Sequence, residues 1–205
     1  MKRTHKRDDL IRVGRDLIVR QGFNATGLSD ILTTAGVPKG SFYYYFESKE
    51  DFGLAIIEDF ACEYQAKLDA TISNQQLSPL TRLTRYFEHG IDEMENSQYR
   101  TGCLIGNLAQ ELSAQNEPFR DRLNQILNRW ETQFADCIEA AYQSAELDRH
   151  SSSSSTDLAK FILSGWQGAM LLAKVTRSSA PLHIFIQVLF EQTLEQTTDT
   201  DAISA

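Results

Sequence analysis

Apolar residues recur at intervals of three and four along almost the whole chain, and Gly and Pro fall in the gaps between these runs. That is the period of amphipathic helices rather than strands. Leu10, Val13, Leu17 and Ile18 define a first helix with a basic outer face, which stops at Gln21-Gly22. Thr26 or Gly27 caps a short second helix with Leu28, Ile31, Leu32 and Ala35 inward. Ala35-Gly36-Val37 then reads as a tight turn. Pro38 suits the first position of a third helix, where its missing N–H would be unpaired anyway, and that helix hardly passes Phe46. Ser48, with Asp51 three residues on, is the expected N-cap of a long fourth helix through Phe52, Ile56 and Phe60.

Further along, Ser78-Pro79 opens a helix to about Asn96, Thr101 caps a shorter one, and Asn116 begins a long one reaching about Leu147. Residues 149–156 are a serine-rich surface loop. Two more helices are expected, from Thr156 to about Ser178 and from Pro181 to about Thr197. The last carries Leu182, Phe185, Ile186, Leu189 and Leu194 on one side and Ile184, Val188 and Phe190 on others. A helix apolar around most of its girth is buried on more than one side. This predicts that the final two helices pair with their copies in a second subunit, through Leu182, Phe185, Ile186 and Leu189. The expected fold class is all-α with about nine helices: a three-helix head over residues 1–50 and a larger helical domain over 51–205.

Composition narrows the function. With 205 residues, 41% hydrophobic and 23% charged, the chain can bury a core. No apolar run approaches the roughly 20 residues that span a bilayer, and the basic start MKRTHKRDD lacks a following apolar stretch. A cytoplasmic protein without a membrane partner is therefore expected. Cys62, Cys103 and Cys137 lie far apart with no CxxC pair, which argues against a disulfide framework or a structural zinc; no metal or cofactor is expected. The net charge of −8 is unevenly spread. Residues 1–50 hold nine Lys and Arg against six Asp and Glu, and the remainder eleven against twenty-two, so the head has the balance for a polyanion.

The head's chemistry centres on VPKGSFYYYFESKE, residues 37–50. On a short helix Phe42 and Phe46 share one face at i and i+4, while Lys39, Ser41, Tyr43, Tyr44 and Tyr45 spread around the rest. Three adjacent tyrosines point about 100° apart and cannot all enter one core. Two short helices joined by a Gly-containing turn, the second bearing hydroxyls and a lysine, form a helix-turn-helix. Gly40 lets the backbone approach a phosphate, and tyrosine packs its ring on sugar or base while its hydroxyl bonds phosphate.

These residues resemble the TetR-type one-component transcriptional regulators over roughly the first 60 positions: RQGFNATGLSDIL, TTAGVPKGSFYYYF and SKEDF. The resemblance implies phosphate contacts from Thr26 and Ser29, major-groove contacts from Lys39, Gly40, Ser41 and Tyr43, and phosphate clamps at Tyr44, Tyr45 and Lys49. The family commonly has histidine where this chain has Tyr45. It also implies that residues 51–205 form an effector-sensing and dimerisation domain. Such a homodimer would present two recognition helices about 34–36 Å apart to a palindromic operator in double-stranded DNA.

Tyr86, Trp130, Phe134, Trp166 and Met170 either line a pocket for a small-molecule effector or pack a bundle core. RTGCLIGNLAQEL, EPFRDRL and GAMLLAKVTRS resemble the branch of the family that responds to electrophiles, reactive chlorine species and acrylate-like compounds. There the cysteine at Cys103 is the suspected sensor and a lysine recurs at Lys174. Read by itself, Cys103 sits in the first turn of a helix, where the dipole favours a thiolate; the other reading is a small packing cysteine. Cys62 and Cys137, inside helices, read as inert. None of His5, His89, His150 and His183 pairs with Cys103 as a general base, so an enzyme is not expected. Repression is the default mode, because blocking a promoter needs only binding. A helical interaction module without DNA binding is the alternative, and it would lack the steep salt dependence of phosphate contacts.

Overall fold

The computed structural model describes residues 2–148 and 154–194, with side chains described from Lys6 onward. Most of the serine-rich loop with His150, the His5 side chain and the expected end of the last helix beyond Leu194 lie outside the described residues. The fold is all-α. Its helices are α1 (Lys2–Gln21), α2 (Leu28–Ala35), α3 (Lys39–Tyr45), α4 (Lys49–Ala70), α5 (Pro79–Asn96), α6 (Leu104–Leu112), α7 (Glu117–Gln143), α8 (Ser155–Thr176) and α9 (Ala180–Val188), the last continued by a π-helical turn, Leu189–Thr193.

The chain forms two compact units, Met1–Ala66 with Arg100–Ile126, and Lys67–Tyr99 with Leu127–Ala205. In the first, α1 ends where Gly22 takes φ +86°. The second helix ends at Gly36, φ +63°, whose N–H returns to Thr33 while the N–H of buried Val37 returns to Leu32. A left-handed residue is what a glycine supplies without strain at a helix C-terminus. Pro38 is the N-cap of α3 rather than its first helical residue, so the helix begins one residue later than the sequence suggests. Ser48 Oγ accepts from the Asp51 N–H at 3.0 Å and the Asp51 carboxylate accepts from the Glu47 N–H at 3.0 Å, so α4 begins in a reciprocal cap. Asn116 caps α7 by accepting from the Phe119 N–H at 3.0 Å. Arg122 forks onto both carboxylate oxygens of Glu58, which ties α7 to α4 within this unit.

In the second unit Ser78 caps α5 with Pro79 in its first turn, and the Leu80 N–H donates to Glu146 at 3.0 Å. Buried rings dominate this core: a Cβ on Gly90 of α5 would come within 2.6 Å of Trp166 on α8, and one on Gly165 of α8 within 2.5 Å of Phe185 on α9. The missing side chains let α5, α8 and α9 pack face to face.

Of the two caps the sequence offers for α2, Gly27 is the N-cap, and Thr26 is buried. The N-cap of α6 is Cys103 and not Thr101, since Gly102 at φ +79° delays the helix by two residues.

Candidate DNA-binding surface and sensor residues

The recognition surface is built from an aromatic anchor outward. Phe42 and Phe46 are almost fully buried, and their rings lie 5.3 and 4.8 Å from that of Phe52 on α4 and 5.3 Å from each other. Tilted and edge-on rings at these distances fix the roll of α3 on α4. With that face so pinned, Lys39, Gly40, Tyr43 and Tyr44 of α3 face outward. Tyr43 and Tyr44 are 53% and 61% exposed, which is unusual for tyrosine in a folded core. Lys39 and Gly40 are exposed, Ser41 and Tyr45 half-buried. Tyr45 lies edge-on to Tyr44 at 5.0 Å. Nothing lies within 4 Å of a Cβ built on Gly40, leaving the backbone there open to an approaching partner. Ser29, in the first turn of α2, is also exposed.

Two of the expected phosphate contacts face inward instead. Thr26 is fully buried; its hydroxyl donates to the Gly22 carbonyl at 2.6 Å and accepts from the Gln21 amide at 3.2 Å. Lys49 is half-buried, donates to the Phe23 carbonyl at 2.8 Å and lies 4.5 Å from the centre of the Phe23 ring. Burial pushes its pKa down, partly offset by the charge of Glu111. Both side chains satisfy backbone groups of the α1–α2 turn, a need that cannot be seen before the chain is folded. A hydroxyl and an amine next to a helix start suit a phosphate or a buried carbonyl equally well by residue type.

Among the sensor candidates, Tyr86, Phe134 and Trp166 form one cluster, with Tyr86 4.9 Å from Phe134 and 6.5 Å from Trp166. They and Trp130 are each at most 2% exposed, and Met170 is half-buried. Lys174, half-buried, stands in the last turn of α8. Cys103 is 7% exposed and its carbonyl accepts from the Asn107 N–H at 2.9 Å, while the Asn107 side chain holds the Thr101 carbonyl at 3.1 Å. Cys137 is buried, donates to the Pro79 carbonyl at 3.5 Å, and has its pKa pushed up to about 12 by burial. Cys62, by contrast, is exposed on α4.

The expected dimer residues also divide. Leu182 and Leu189 are 0% and 1% exposed within one subunit, and half-buried Phe185 packs on Gly165, Phe87 and Trp166 of the same chain; Ile186 is half-buried as well. That side of α9 faces the subunit's own core. The apolar surface left uncovered is a different set: Phe161, Leu171, Leu172 and Val175 on α8, with Ile184 and Val188 on α9. Because both helices are apolar around their girth, periodicity could not say which stripe faces out.

A short aromatic recognition helix on a packed α2–α3 turn, followed by a longer helical region, defines a helix-turn-helix DNA-binding regulator. The chain belongs to the TetR family: the family described as bacterial regulatory proteins, tetR family, matches residues 10–56, and the tetracyclin repressor-like C-terminal domain matches residues 79–189. It is 34% identical over 197 residues to the HTH-type transcriptional repressor DhaR of Mycobacterium sp. (strain GP1), covering 96% of each chain. It is 38% identical over 176 residues to the transcriptional regulator AcuR of Cereibacter sphaeroides, covering 86% of this chain and 80% of that one. The crystal structure of the reduced form of E. coli NemR aligns with a TM-score of 0.86 at 28% identity, over 95% of this chain and 99% of that one. These relatives are named regulators and repressors of transcription, not enzymes. No described helix is long and apolar enough to cross a membrane.

Proposed function

We propose that the protein is a homodimeric repressor that binds a palindromic operator and leaves it when an electrophile modifies Cys103. The observation that carries the DNA reading is α3 itself, with two phenylalanines locked inward and Lys39, Tyr43 and Tyr44 presented to solvent. The thiol reading is supported by the place of Cys103 at the N-cap of α6. That place puts the residue at the N-terminal end of a helix, where the positive end of the dipole lies. The relatives named repressors, and a neighbour crystallised in what is described as a reduced form, favour the same reading.

Dimerisation is assigned to the exposed stripe of α8 and α9, replacing Leu182 and Leu189, which the subunit covers itself. A two-fold pair of α8 and α9 gives a four-helix interface. Modification at Cys103 then acts as a population shift between head spacings that fit the operator and spacings that do not. A difference of about 3 kcal/mol changes occupancy over a hundredfold.

The test is a gel shift on the upstream intergenic DNA with and without N-ethylmaleimide. It is run in a Cys62→Ser background, because Cys62 is exposed and would react as well. Release by the reagent in Cys62→Ser, and none in Cys62→Ser/Cys103→Ser, is the expected result. Binding indifferent to the reagent in both overturns the thiol reading and points to a non-covalent effector at the Tyr86–Phe134–Trp166 cluster.

A further inference from the structure

The turn between α1 and α2 is held from two sides by side chains of other elements. The N–H groups of Phe23 and Asn24 donate to the two oxygens of one carboxylate, Glu111, at 2.9 and 2.6 Å. On the other side Lys49 donates to the Phe23 carbonyl at 2.8 Å. The Asn24 amide donates to Gln115 at 3.4 Å, and the Phe23 ring stands edge-on to Phe119 at 5.1 Å. A Cβ on Gly22 would come within 2.9 Å of the Glu111 carboxylate, so the turn is shaped around that group. All these residues lie in one compact unit.

The same carboxylate sits on the penultimate residue of α6, whose N-cap is Cys103. Eight residues of helix, about 12 Å, separate the two and move as a rod. At the far side of the clasp α2 begins only four residues after Asn24. A displacement of α6 therefore must either carry the α1–α2 turn with it or break two charge-assisted hydrogen bonds.

We propose that Glu111 is the positioning residue that couples α6 to the DNA-reading head, by clamping the consecutive N–H groups of Phe23 and Asn24. The clamp holds α2, and through it α3, in the orientation that binds the operator, and operator binding in turn holds α6. This rests on the DNA-binding reading above and not on the thiol reading. Coupling between two sites is reciprocal, so it can be read from the DNA side with no effector present.

The experiment is hydrogen exchange, followed by mass spectrometry, on the full-length dimer with and without a duplex selected by the wild-type protein from a random-sequence library. Glu111→Gln keeps the shape, offers one carbonyl oxygen to two amides and removes the charge. In the wild type, saturating duplex is expected to slow exchange across residues 109–115 about fivefold or more; in Glu111→Gln, also saturated, the slowing falls below about twofold. A residue that only stabilised the fold would raise exchange throughout the unit and leave the DNA-induced slowing intact. Equal slowing in the two proteins, or none in the wild type, overturns the proposal. Should Glu111→Gln not fold, Glu111→Asp keeps the charge but is one methylene too short to hold both amides, and is read by the same criterion. Failure of the thiol reading shows elsewhere, as operator binding that N-ethylmaleimide leaves unchanged.

Discussion

Val175→Asp is the substitution that should separate the subunits while leaving each one folded. Phe161, Leu171, Leu172, Val175, Ile184 and Val188 are 40 to 73% exposed in a single chain, and Val175 is the most exposed of them. Covering a fully exposed side chain of this kind is worth about 1.5–3 kcal/mol. Each half-exposed one then contributes about 1 kcal/mol, and two-fold symmetry doubles the set to about 12 kcal/mol gross. Association costs about 4–15 kcal/mol in lost freedom, so the surplus is modest and sensitive to a single position. Aspartate at 175 removes roughly 1–2 kcal/mol of burial in each subunit and leaves a carboxylate to be desolvated in each. The combined loss, about 5 kcal/mol, raises Kd over a thousandfold. Sedimentation velocity at about 1 μM should show a monomer with wild-type helicity and weak operator binding. Leu182→Asp is the contrast: Leu182 is 0% exposed, so the charge enters the subunit's own core and should lower Tm sharply instead of giving a folded monomer. A Val175→Asp protein that stayed dimeric, or a Leu182→Asp protein that became a stable monomer, would refute this assignment of the interface.

Gly53→Ala should destabilise the first unit by up to about 2 kcal/mol in urea melts. The new methyl would meet Phe23 and Phe119 ring carbons at 2.5 and 2.7 Å, and overpacking of about 1–3 kcal/mol exceeds the roughly 1 kcal/mol gain in helix propensity. Tyr44→Phe, which removes the hydroxyl of an exposed residue, should weaken operator binding about fivefold per head; equal affinity would remove Tyr44 from the phosphate contacts. Cys137 ionises at about 12 in the folded state against an ordinary 9.0. Between those values the unfolded chain holds fewer protons, so this contribution is intact below pH 9 and is lost as pH rises. By about pH 10.5 the loss reaches roughly 2 kcal/mol relative to Cys137→Ala, measured by urea unfolding. Parallel pH curves for the two proteins would contradict it.

Helix existence was legible in the sequence because three-and-four periodicity and its punctuation survive in every segment, and α5 begins and ends where Ser78-Pro79 and Asn96 place it. The surface of α3 was legible for a steric reason: three consecutive tyrosines cannot share a core. Side choices between equally apolar faces were not. Leu182 and Val175 are both aliphatic residues on largely apolar helices, and only the packing of Phe185 onto Gly165 and of Trp166 onto Gly90 decides which stripe the subunit covers. Glu111 was invisible for a different reason. Its partners are backbone N–H groups 87 and 88 residues away, which have no side-chain signature, and a glutamate near the end of an amphipathic helix otherwise reads as solvated surface.

Lys49 sets the two views of the head against each other. As a phosphate clamp, its removal would lower operator affinity and flatten the salt dependence. Each lost phosphate contact takes about 0.9 from the slope of log K against log salt, so two heads lose about 1.8. As a member of the α1–α2 clasp, its ammonium already bonds the Phe23 carbonyl and faces the Phe23 ring. Methionine at this position keeps the stem that covers the ring, loses one hydrogen bond, and relieves the burial cost that lowers the lysine pKa. The gain and loss are similar in size, so Lys49→Met should leave stability within about 1 kcal/mol of wild type and the salt slope unchanged. Lys39→Met, on the exposed face of α3, is the positive control and should flatten the slope. If Lys49→Met loses the full 1.8 or so in slope, the ammonium swings out to DNA on binding and the clasp is a feature of the unbound head alone. An unchanged slope leaves the recognition surface to α3 and the exposed start of α2, with Lys49 belonging to the support beneath it.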